Sequence, residues 1–299
     1  FDGHQVNHIL PYDSPALDIV SENSILKVKT HASISGVQVK FSVLMEKNKL
    51  RLASEGEKGT YILKPIPRNE KNADQMPANE HLTMQIARQI FGIETAENAL
   101  IFFSNGEPAY ITKRFDVQSN GSKWAQDDFA SLAGRTPQTH GVNYKYLGNY
   151  LELFELMQQF LPAYKSEAPK LYRLLLFNYL FSNGDAHLKN FSIIETPMGD
   201  YRLSPAYDLL NSRIHIMDND FALEEGLLPP RFAQGKIRQQ FQLLAKKAGI
   251  TDKLSDNILA SVTANTELVK SLIFASYLND TTKRNYLQTY QVKLKRLTK

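Results

Sequence analysis

Hydrophobic and polar residues alternate along the first part of the chain. Over residues 37–45 apolar side chains occupy every second position, a period of two that predicts a half-buried β-strand beginning after Gly36. Two more short extended runs follow at residues 50–52 and 61–64, and Pro65 ends the second because proline cannot donate to a ladder. The pattern predicts a small antiparallel sheet.

A helical period then replaces the alternation. Apolar residues spaced three to four positions apart predict an amphipathic helix that Pro77 begins and Gly92 ends, with Glu80 in its first turn. Further along, Asn105-Gly106 lies between two extended runs and predicts a hairpin with a type I′ turn, because both residues tolerate a positive φ. We therefore expect five strands and one helix before residue 117.

The second part of the chain has mainly helical patterns. They cover residues 150–161, 168–181, 235–248 and 251–278. The exception is residues 191–203, two short extended runs that predict a hairpin on the helical body. The fold class predicted is α+β, with an N-terminal lobe over residues 1–116 that holds the small sheet, and a mainly helical C-terminal lobe over residues 117–299.

Composition narrows the class of protein. The chain has 299 residues, 42% of them hydrophobic, which is typical of a soluble globular protein of about two domains. It has no cysteine, which excludes disulfides, thiolate nucleophiles and iron–sulfur clusters and favours the cytoplasm. The longest apolar run, residues 171–181, is interrupted by Arg173 and Asn178, whereas a membrane span needs about 20 apolar residues. We expect no membrane partner.

Charge adds little. The 35 Lys and Arg residues exceed the 31 Asp and Glu residues by four, too few to indicate a polyanionic partner. Basic residues without acids follow Asp280, and their pattern indicates the solvated face of a terminal helix. We therefore expect no direct binding to nucleic acid.

Three polar residues bracket the predicted hairpin of the second part. Asp185 is followed five positions later by Asn190, and Asp208 follows the hairpin. Phosphoryl-transfer enzymes use this order for a general base and two magnesium ligands, because Mg²⁺ prefers oxygen ligands and phosphates complete its shell. By itself the spacing would occur by chance about once in a chain of this size, and a polar turn after a helix would then be the better explanation.

Other features of the first part agree with the phosphoryl-transfer interpretation. Residues 33–38 form a loop with one glycine before a strand, where backbone N–H groups could cover phosphates, although no P-loop or Rossmann motif is present. Lys64 ends a strand of the same sheet, and Glu80 follows on the next helix, where it could pair with Lys64. Each feature alone has an ordinary explanation, and their order along the chain is what favours this function.

In this order the motifs resemble the HipA-like serine/threonine kinases of bacterial toxin–antitoxin systems, in particular the shorter HipT-type members. The segments that carry the resemblance are residues 33–38, 61–65, 79–82, 113–116, 126–134, 143–146, 184–191 and 205–209. The run Gly-Asp-Ala-His-Leu-Lys-Asn-Phe-Ser at residues 184–192 is the most specific of them.

The resemblance implies a two-lobed protein-kinase-like fold that binds ATP and Mg²⁺ in its cleft. It implies Asp185 as the catalytic base, Asn190 and Asp208 as metal ligands, and Glu80 in a supporting role. The residues implied in ATP binding are Ser35, Gly36, Val37, Lys64, Lys113, Phe115, His187 and Lys189. Of these, Lys64, His187 and Lys189 are implied to contact phosphates, and the backbone from Lys113 to Phe115 is implied to face the adenine. Lys113 stands where longer relatives have an acidic residue, so its side chain is not expected to reproduce their contact with adenine.

The resemblance also implies a regulation and partners. Family members inactivate themselves by phosphorylation of a loop serine, and Ser33 and Ser35 are the matching positions. Added charge beside the incoming ATP would repel it or distort the site. A protein substrate, with an aminoacyl-tRNA synthetase as one option, and a cognate antitoxin, with a DNA-binding antitoxin as one option, are the implied partners.

Two alternative functions remain open. Small-molecule phosphotransferases such as aminoglycoside or choline kinases use the same Asp, Asn and Asp order, but residues 33–36 and 113–116 favour the first hypothesis. A catalytically silent antitoxin-binding scaffold is the other alternative, and the presence of Asp185, Asn190 and Asp208 together disfavours it.

Overall fold

The computed structural model describes residues 7–14, 39–67 and 71–299. The strands in these residues are β1 (Phe41–Glu46), β2 (Lys49–Leu52), β3 (Tyr61–Lys64), β4 (Asn98–Phe102), β5 (Pro108–Lys113), β6 (Gln126–Asp128), β7 (Ser192–Glu195) and β8 (Tyr201–Leu203). The α-helices are α1 (Met76–Gln89), α2 (Phe129–Leu132), α3 (Pro137–His140), α4 (Leu151–Phe160), α5 (Tyr164–Leu180), α6 (Ile237–Lys247), α7 (Asp252–Thr263), α8 (Thr266–Ala275) and α9 (Asp280–Thr298).

The first five strands form one antiparallel sheet in the order β2-β1-β3-β5-β4. Successive side chains of a strand point to opposite faces, so Tyr61 and Leu63 of β3 pack with Ile111 of β5 in a small apolar cluster. Ile62 and Lys64 lie on the other face and line a cleft. The alternation read from the sequence thus decides which face of β3 carries its lysine.

Helix α1 joins this sheet to the helical part of the chain. Its apolar residues belong to the same large core as those of α5 and α9. The hydroxyl groups of Thr83 on α1 and Tyr286 on α9 lie 2.8 Å apart, and the buried Asn79 side chain donates to the Asn211 carbonyl at 2.9 Å and accepts from its N–H at 3.1 Å. The sheet, α1 and the segment after β8 are therefore fixed relative to one another.

Two local predictions in the first part were wrong in detail. Glu80 is the fifth residue of α1 rather than part of its first turn, and it is buried, so a helix dipole does not account for it. The hairpin at Asn105 exists, but only Gly106 has a positive φ, of 85°. The Gly106 N–H donates to Phe103, and the Phe103 N–H donates to Glu107, which makes a three-residue loop instead of a type I′ turn.

The start of β1 also differs from the sequence pattern. The strand begins at Phe41, and Val39 and Lys40 precede it outside any strand. The predicted start at residue 37 lies outside the described residues.

The second part departs from the predicted helices in two places. The span predicted as one helix over residues 251–278 consists of two helices, α7 and α8, which are separated by two residues and bent by 42°. Helix α5 begins at Tyr164, four residues before the predicted start, and contains Pro169 near its N-terminal end. At the sixth position of the helix, proline removes the hydrogen bond that an N–H would otherwise donate to the carbonyl of residue 165.

The predicted hairpin over residues 191–203 is β7 and β8, and it has a third strand that the sequence did not indicate. Strand β6 pairs with β7 through Asp127 opposite Ile193 and Asp128 opposite Ser192. Its residues, Gln-Asp-Asp, are poor strand formers, so only the pairing partner makes them extended.

The basic C-terminal helix is less solvated than expected. Lys293 is 1% exposed and forms an ion pair with Asp220, which also contacts Arg213 and Arg296. The ammonium of Lys293 lies 4.3 Å from the ring centre of Tyr179. This lysine therefore anchors the segment after β8 to α9.

No single helix among the described residues is long and apolar enough to cross a membrane. The bent pair α7 and α8 meets that criterion only when both helices are taken together.

Candidate functional site

A cleft of about 290 Å³ lies between the five-stranded sheet and the helical part. It is lined by Lys40, Ile62, Lys64, Ala96, Thr112, Lys113, Arg114, Phe115, Asp116, Gln126, Asp128, Lys189, Ser192, Tyr207 and Asp208. Five of these residues are cationic and three are anionic. The lining combines apolar side chains with an excess of cations, which suits a ligand that has a flat apolar group and an anionic group.

Lys64 is the residue that joins the two sides of the cleft. Its Nζ lies 2.6 Å from Glu80 Oε1 on α1 and also contacts Asp208 Oδ1, which follows β8. Burial alone would lower the pKa of Lys64, but the carboxylates of Asp208 and Glu80 raise it well above its usual value. The ammonium is therefore fully charged and shared between two carboxylates.

Asp208 also contacts the other polar side chains near Lys64. Burial would raise the pKa of its carboxyl group, but Lys40 and Lys64 lower it far below the usual value, so it is an anion. Lys40 Nζ lies 3.9 Å and Asn190 Nδ2 lies 3.3 Å from Asp208 Oδ2. The backbone φ of Asp208 is 55°, in the left-handed region that non-glycine residues rarely adopt and that concentrates at functional sites.

Asp185 lies on the loop that follows α5. The Gly184 N–H donates to Ser212 Oγ at 2.9 Å, and a Cβ at Gly184 would clash with the Asp218 carboxylate and lie 2.7 Å from the Asn219 carbonyl oxygen. Only glycine fits this position, so the loop is held against the segment after β8. The Tyr146 hydroxyl donates to Asp185 Oδ1 at 2.8 Å and fixes the orientation of the carboxylate.

His187 is buried on the same loop, close to Asn190. Its N–H donates to Asn190 Oδ1 at 3.2 Å, which holds the amide with its nitrogen toward Asp208. Among the described residues, nothing pairs with the buried Nδ1 of His187. Burial, with a further contribution from Lys145, lowers the pKa of His187 to about 3, so the ring is neutral near pH 7.

The depressed pKa predicts a dependence of stability on pH. On unfolding, the pKa of His187 rises from about 3 to 6.5. Below pH 6.5 the unfolded state therefore binds a proton that the folded state does not bind, and the stability of the protein decreases as the pH is lowered. Between pH 6.5 and 5 this term amounts to about 2 kcal/mol.

Urea denaturation of the wild type and of His187→Gln at pH 7 and pH 5 measures this effect. We expect the variant to lose less stability than the wild type over that interval. Equal losses in the two proteins would show that His187 is protonated in the folded state as well.

Lys189, which the family resemblance implies in ATP binding, is paired with an aspartate in the structure. Its Nζ lies 2.8 Å from Asp128 Oδ2, and its carbonyl accepts from the Tyr207 hydroxyl at 2.9 Å. Lys189 lines the cleft, but its charge is already opposed by Asp128. Its predicted contact with a phosphate stays a prediction that would require this pair to open or to share its charge.

The end of β5 forms the far wall of the cleft. The N–H groups of Lys113 and Arg114 donate to Glu97 and Thr60 at 2.8 Å each. The Phe115 N–H has no acceptor among the described residues, and the Phe115 ring lies 5.6 Å from the ring of Tyr207. Of the three residues expected to face a base, Phe115 therefore offers the unused donor and an aromatic surface.

Four residues of the predicted site belong to the loop before β1. Ser33, Ser35, Gly36 and Val37 lie outside the described residues. Within the described ranges, no group of three or more His, Cys, Asp and Glu side chains forms a complete metal cage. A metal here would need ligand atoms from a bound molecule in addition to Asp208 and Asn190.

Several residues of the site had no role assigned from the sequence. They are Lys40, which reaches Asp208, Tyr146, which holds Asp185, and Asp128, which holds Lys189. Their positions in the chain carry no period or spacing that marks them, although Asp128 and Tyr146 fall in segments that carry the family resemblance. Their contacts depend on parts of the chain that only folding brings together.

The fold is α+β with the two lobes of a protein kinase, as two solved structures show. A HipA chain from a Shewanella oneidensis toxin–antitoxin complex with HipB and operator DNA has a TM-score of 0.65 at 20% identity, covering 90% of this chain and 65% of that chain. The Helicobacter pylori proinflammatory kinase CtkA has a TM-score of 0.57 at 14% identity, covering 85% of this chain and 90% of that chain.

Sequence comparison identifies the family. The model of the HipA-like C-terminal domain matches residues 32–269. A Sinorhizobium fredii protein named "Putative kinase Y4dM" is 31% identical over 260 residues, which cover 81% of this chain and 60% of that protein. The chain therefore belongs to the HipA-like family, as its motifs indicated, and it spans about three-fifths of the length of this relative.

Proposed function

We propose that this chain is an ATP-dependent serine/threonine protein kinase. The observation that carries the proposal is the placement of Lys64, which bridges Glu80 on α1 and Asp208 after β8, with Asn190 beside Asp208. This arrangement sets a cation and two oxygen-bearing side chains at one end of a cleft and an aromatic wall at the other, as a nucleotide triphosphate requires. The names of its relatives support a kinase.

The nucleotide would bind with its base against Phe115 and Tyr207. The Phe115 N–H, which has no acceptor in the described part of the chain, would donate to a ring nitrogen of adenine, and the two rings would cover one face of the base. Lys64 would bind phosphate oxygens, because its charge is firmly held and its side chain is fixed by Glu80.

Asn190 and Asp208 fit a magnesium ion in donor chemistry. Asp208 is an anion by its lowered pKa, and the Asn190 amide lies 3.3 Å from it. When bound with ATP, Mg²⁺ would offset the charge of the phosphate oxygens during transfer. Asn190 Oδ1 now accepts from the His187 N–H, so it would have to turn to become a ligand.

Asp185 would accept the proton of the acceptor hydroxyl. The hydroxyl oxygen forms a bond to the γ-phosphorus as the bond from that phosphorus to the β,γ-bridging oxygen breaks, and ADP leaves with that oxygen. The Tyr146 hydroxyl donates to Oδ1 of Asp185 and would hold the carboxylate in a fixed orientation as it accepts the proton. His187 is neutral and so would act as a hydrogen-bonding group rather than a charge.

The proposal extends to a toxin role. The HipA structure that shares this fold contains HipB and operator DNA, which supports a cognate antitoxin as the partner of this chain. We further propose a translation factor such as an aminoacyl-tRNA synthetase as the substrate, autophosphorylation of Ser33 or Ser35 as the inactivating step, and a cytoplasmic location.

Intact mass spectrometry tests this proposal. The purified chain is incubated with ATP and Mg²⁺, alone and with a bacterial lysate containing ATP labelled at the γ-phosphate, and Asp185→Asn serves as the matched control. We expect the wild type to gain phosphoryl groups at Ser33 or Ser35 and to label a lysate protein, and we expect the control to do neither.

The other outcomes separate the alternatives. Labelling of an aminoglycoside or of choline without labelled protein would support a small-molecule phosphotransferase. Absence of transfer to any acceptor, with antitoxin binding intact, would support a silent scaffold and contradict the kinase proposal.

A further inference from the structure

Lys145 is a buried cation that has no assigned role. It lies in a 3-10 turn over Tyr144–Tyr146, and only 3% of its surface is exposed. Its Nζ lies 5.0 Å from the ring centre of Tyr146, the residue that donates to Asp185. No described residue forms an ion pair or a hydrogen bond with this ammonium.

The charges around Lys145 do not compensate it. Burial lowers its pKa more than Asp185 and Asp208 raise it, and Lys189 and Lys40 lower it further. Lys189 is paired with Asp128, and Lys40 and Lys64 both contact Asp208. Lys145, in contrast, has no carboxylate within ion-pair distance among the described residues.

A structural role does not account for this arrangement. A cation over an aromatic ring gains about 0.5–2 kcal/mol, whereas removing an ammonium from water without an ionic partner costs several kcal/mol. A lysine whose purpose was packing would be better replaced by an apolar residue. Buried charge that is not offset within the protein is typical of a site that waits for a ligand of opposite charge.

We propose that Lys145 binds the γ-phosphoryl group of the nucleotide as an additional catalytic residue, an inference that rests on the proposed kinase function. Lys145 does not line the cleft itself but lies beside Tyr146, whose hydroxyl donates to Asp185, the proposed base. Lys64 instead contacts Glu80 and Asp208. The two lysines would therefore hold different phosphates, Lys145 the one that moves.

Lys145→Met tests this role, because methionine has a similar length and no charge. Affinities for ADP and for the β,γ-imido analogue of ATP, which cannot transfer its phosphoryl group, are measured by calorimetry with Mg²⁺, and thermal unfolding is followed in parallel. We expect the preference of the wild type for the analogue over ADP to fall about tenfold or more in the variant. The melting temperature should stay the same or rise.

Two further variants serve as controls. Lys145→Arg should retain most of the preference for the triphosphate analogue, since it keeps the charge. Lys253→Met removes an exposed lysine on α7 and should leave the affinities and the melting temperature unchanged.

The outcomes distinguish this inference from the proposed function. A clear drop in the melting temperature of Lys145→Met, or an unchanged preference for the analogue over ADP, would overturn the role of Lys145 while leaving the kinase proposal standing. Absence of nucleotide binding by the wild type would overturn both.

Discussion

Replacing Asp185 by asparagine should lower the rate of phosphoryl transfer by about 10²- to 10⁴-fold without unfolding the protein. Asparagine keeps an oxygen that can accept from the Tyr146 hydroxyl, so the contact at 2.8 Å is preserved. It cannot accept the proton of the acceptor, which is the role assigned to this carboxylate. Single-turnover transfer of the γ-phosphoryl group, with thermal unfolding measured in parallel, checks both parts.

Two companion variants sharpen the test of Asp185. Asp127→Ala removes an exposed carboxylate from β6, the strand next to the site, and should leave transfer unchanged. Tyr146→Phe removes the hydroxyl that orients Asp185 and should give an intermediate rate, because the base remains but is less well positioned. A fully active Asp185→Asn would reject the assignment of the base.

Replacing Lys64 by methionine should destabilise the protein by about 3–5 kcal/mol and abolish nucleotide binding. The Lys64 and Glu80 side chains are 5% and 3% exposed, so removal of the ammonium leaves the Glu80 carboxylate buried without an ionic partner. Asp208 loses the same partner. Urea denaturation and calorimetry with ADP and Mg²⁺ measure the two losses.

A double variant separates stability from function at this cluster. Lys64→Met with Glu80→Leu also removes the uncompensated carboxylate and should regain part of the lost stability, but it should not regain nucleotide binding. The matched control is Lys40→Met, whose side chain is 35% exposed and lies 3.9 Å from Asp208, so its loss should cost less than about 1 kcal/mol. A Lys64→Met protein as stable as the wild type would contradict the prediction.

Much of the first sheet could be predicted because apolar and polar residues alternate along its strands with a period of two. The pattern that predicted residues 61–64 as a strand also decided that Lys64 shares a face with Ile62, and the cleft lies on that face. The predicted type I′ turn at Asn105 was wrong because the preference of a dipeptide for a turn type does not set the length of the loop. The pairing of β4 with β5, with Phe102 opposite Pro108, leaves more residues to connect than a type I′ turn holds.

The candidate site was predictable to the extent that its residues lie in short motifs. Asp185, Asn190 and Asp208 were selected by their order and spacing, and the structure brings Asn190 and Asp208 within hydrogen-bonding distance. Tyr146 and Lys145 were not assigned roles because a tyrosine and a lysine in a polar segment have no distinguishing spacing. Their significance follows only from burial and from their nearness to Asp185.

The amino-acid sequence determined by itself the succession of a sheet, a helix and a helical body, the order of the polar residues and the family to which the chain belongs. Those properties depend on periods and motifs within a few residues of each other. The tertiary structure decided that Lys64 bridges Glu80 and Asp208, that Lys293 is buried, and that Lys145 is buried without an ion pair to any described residue. Charge pairing and desolvation depend on which segments, distant in the chain, come into contact in the fold. A local sequence pattern does not specify those contacts.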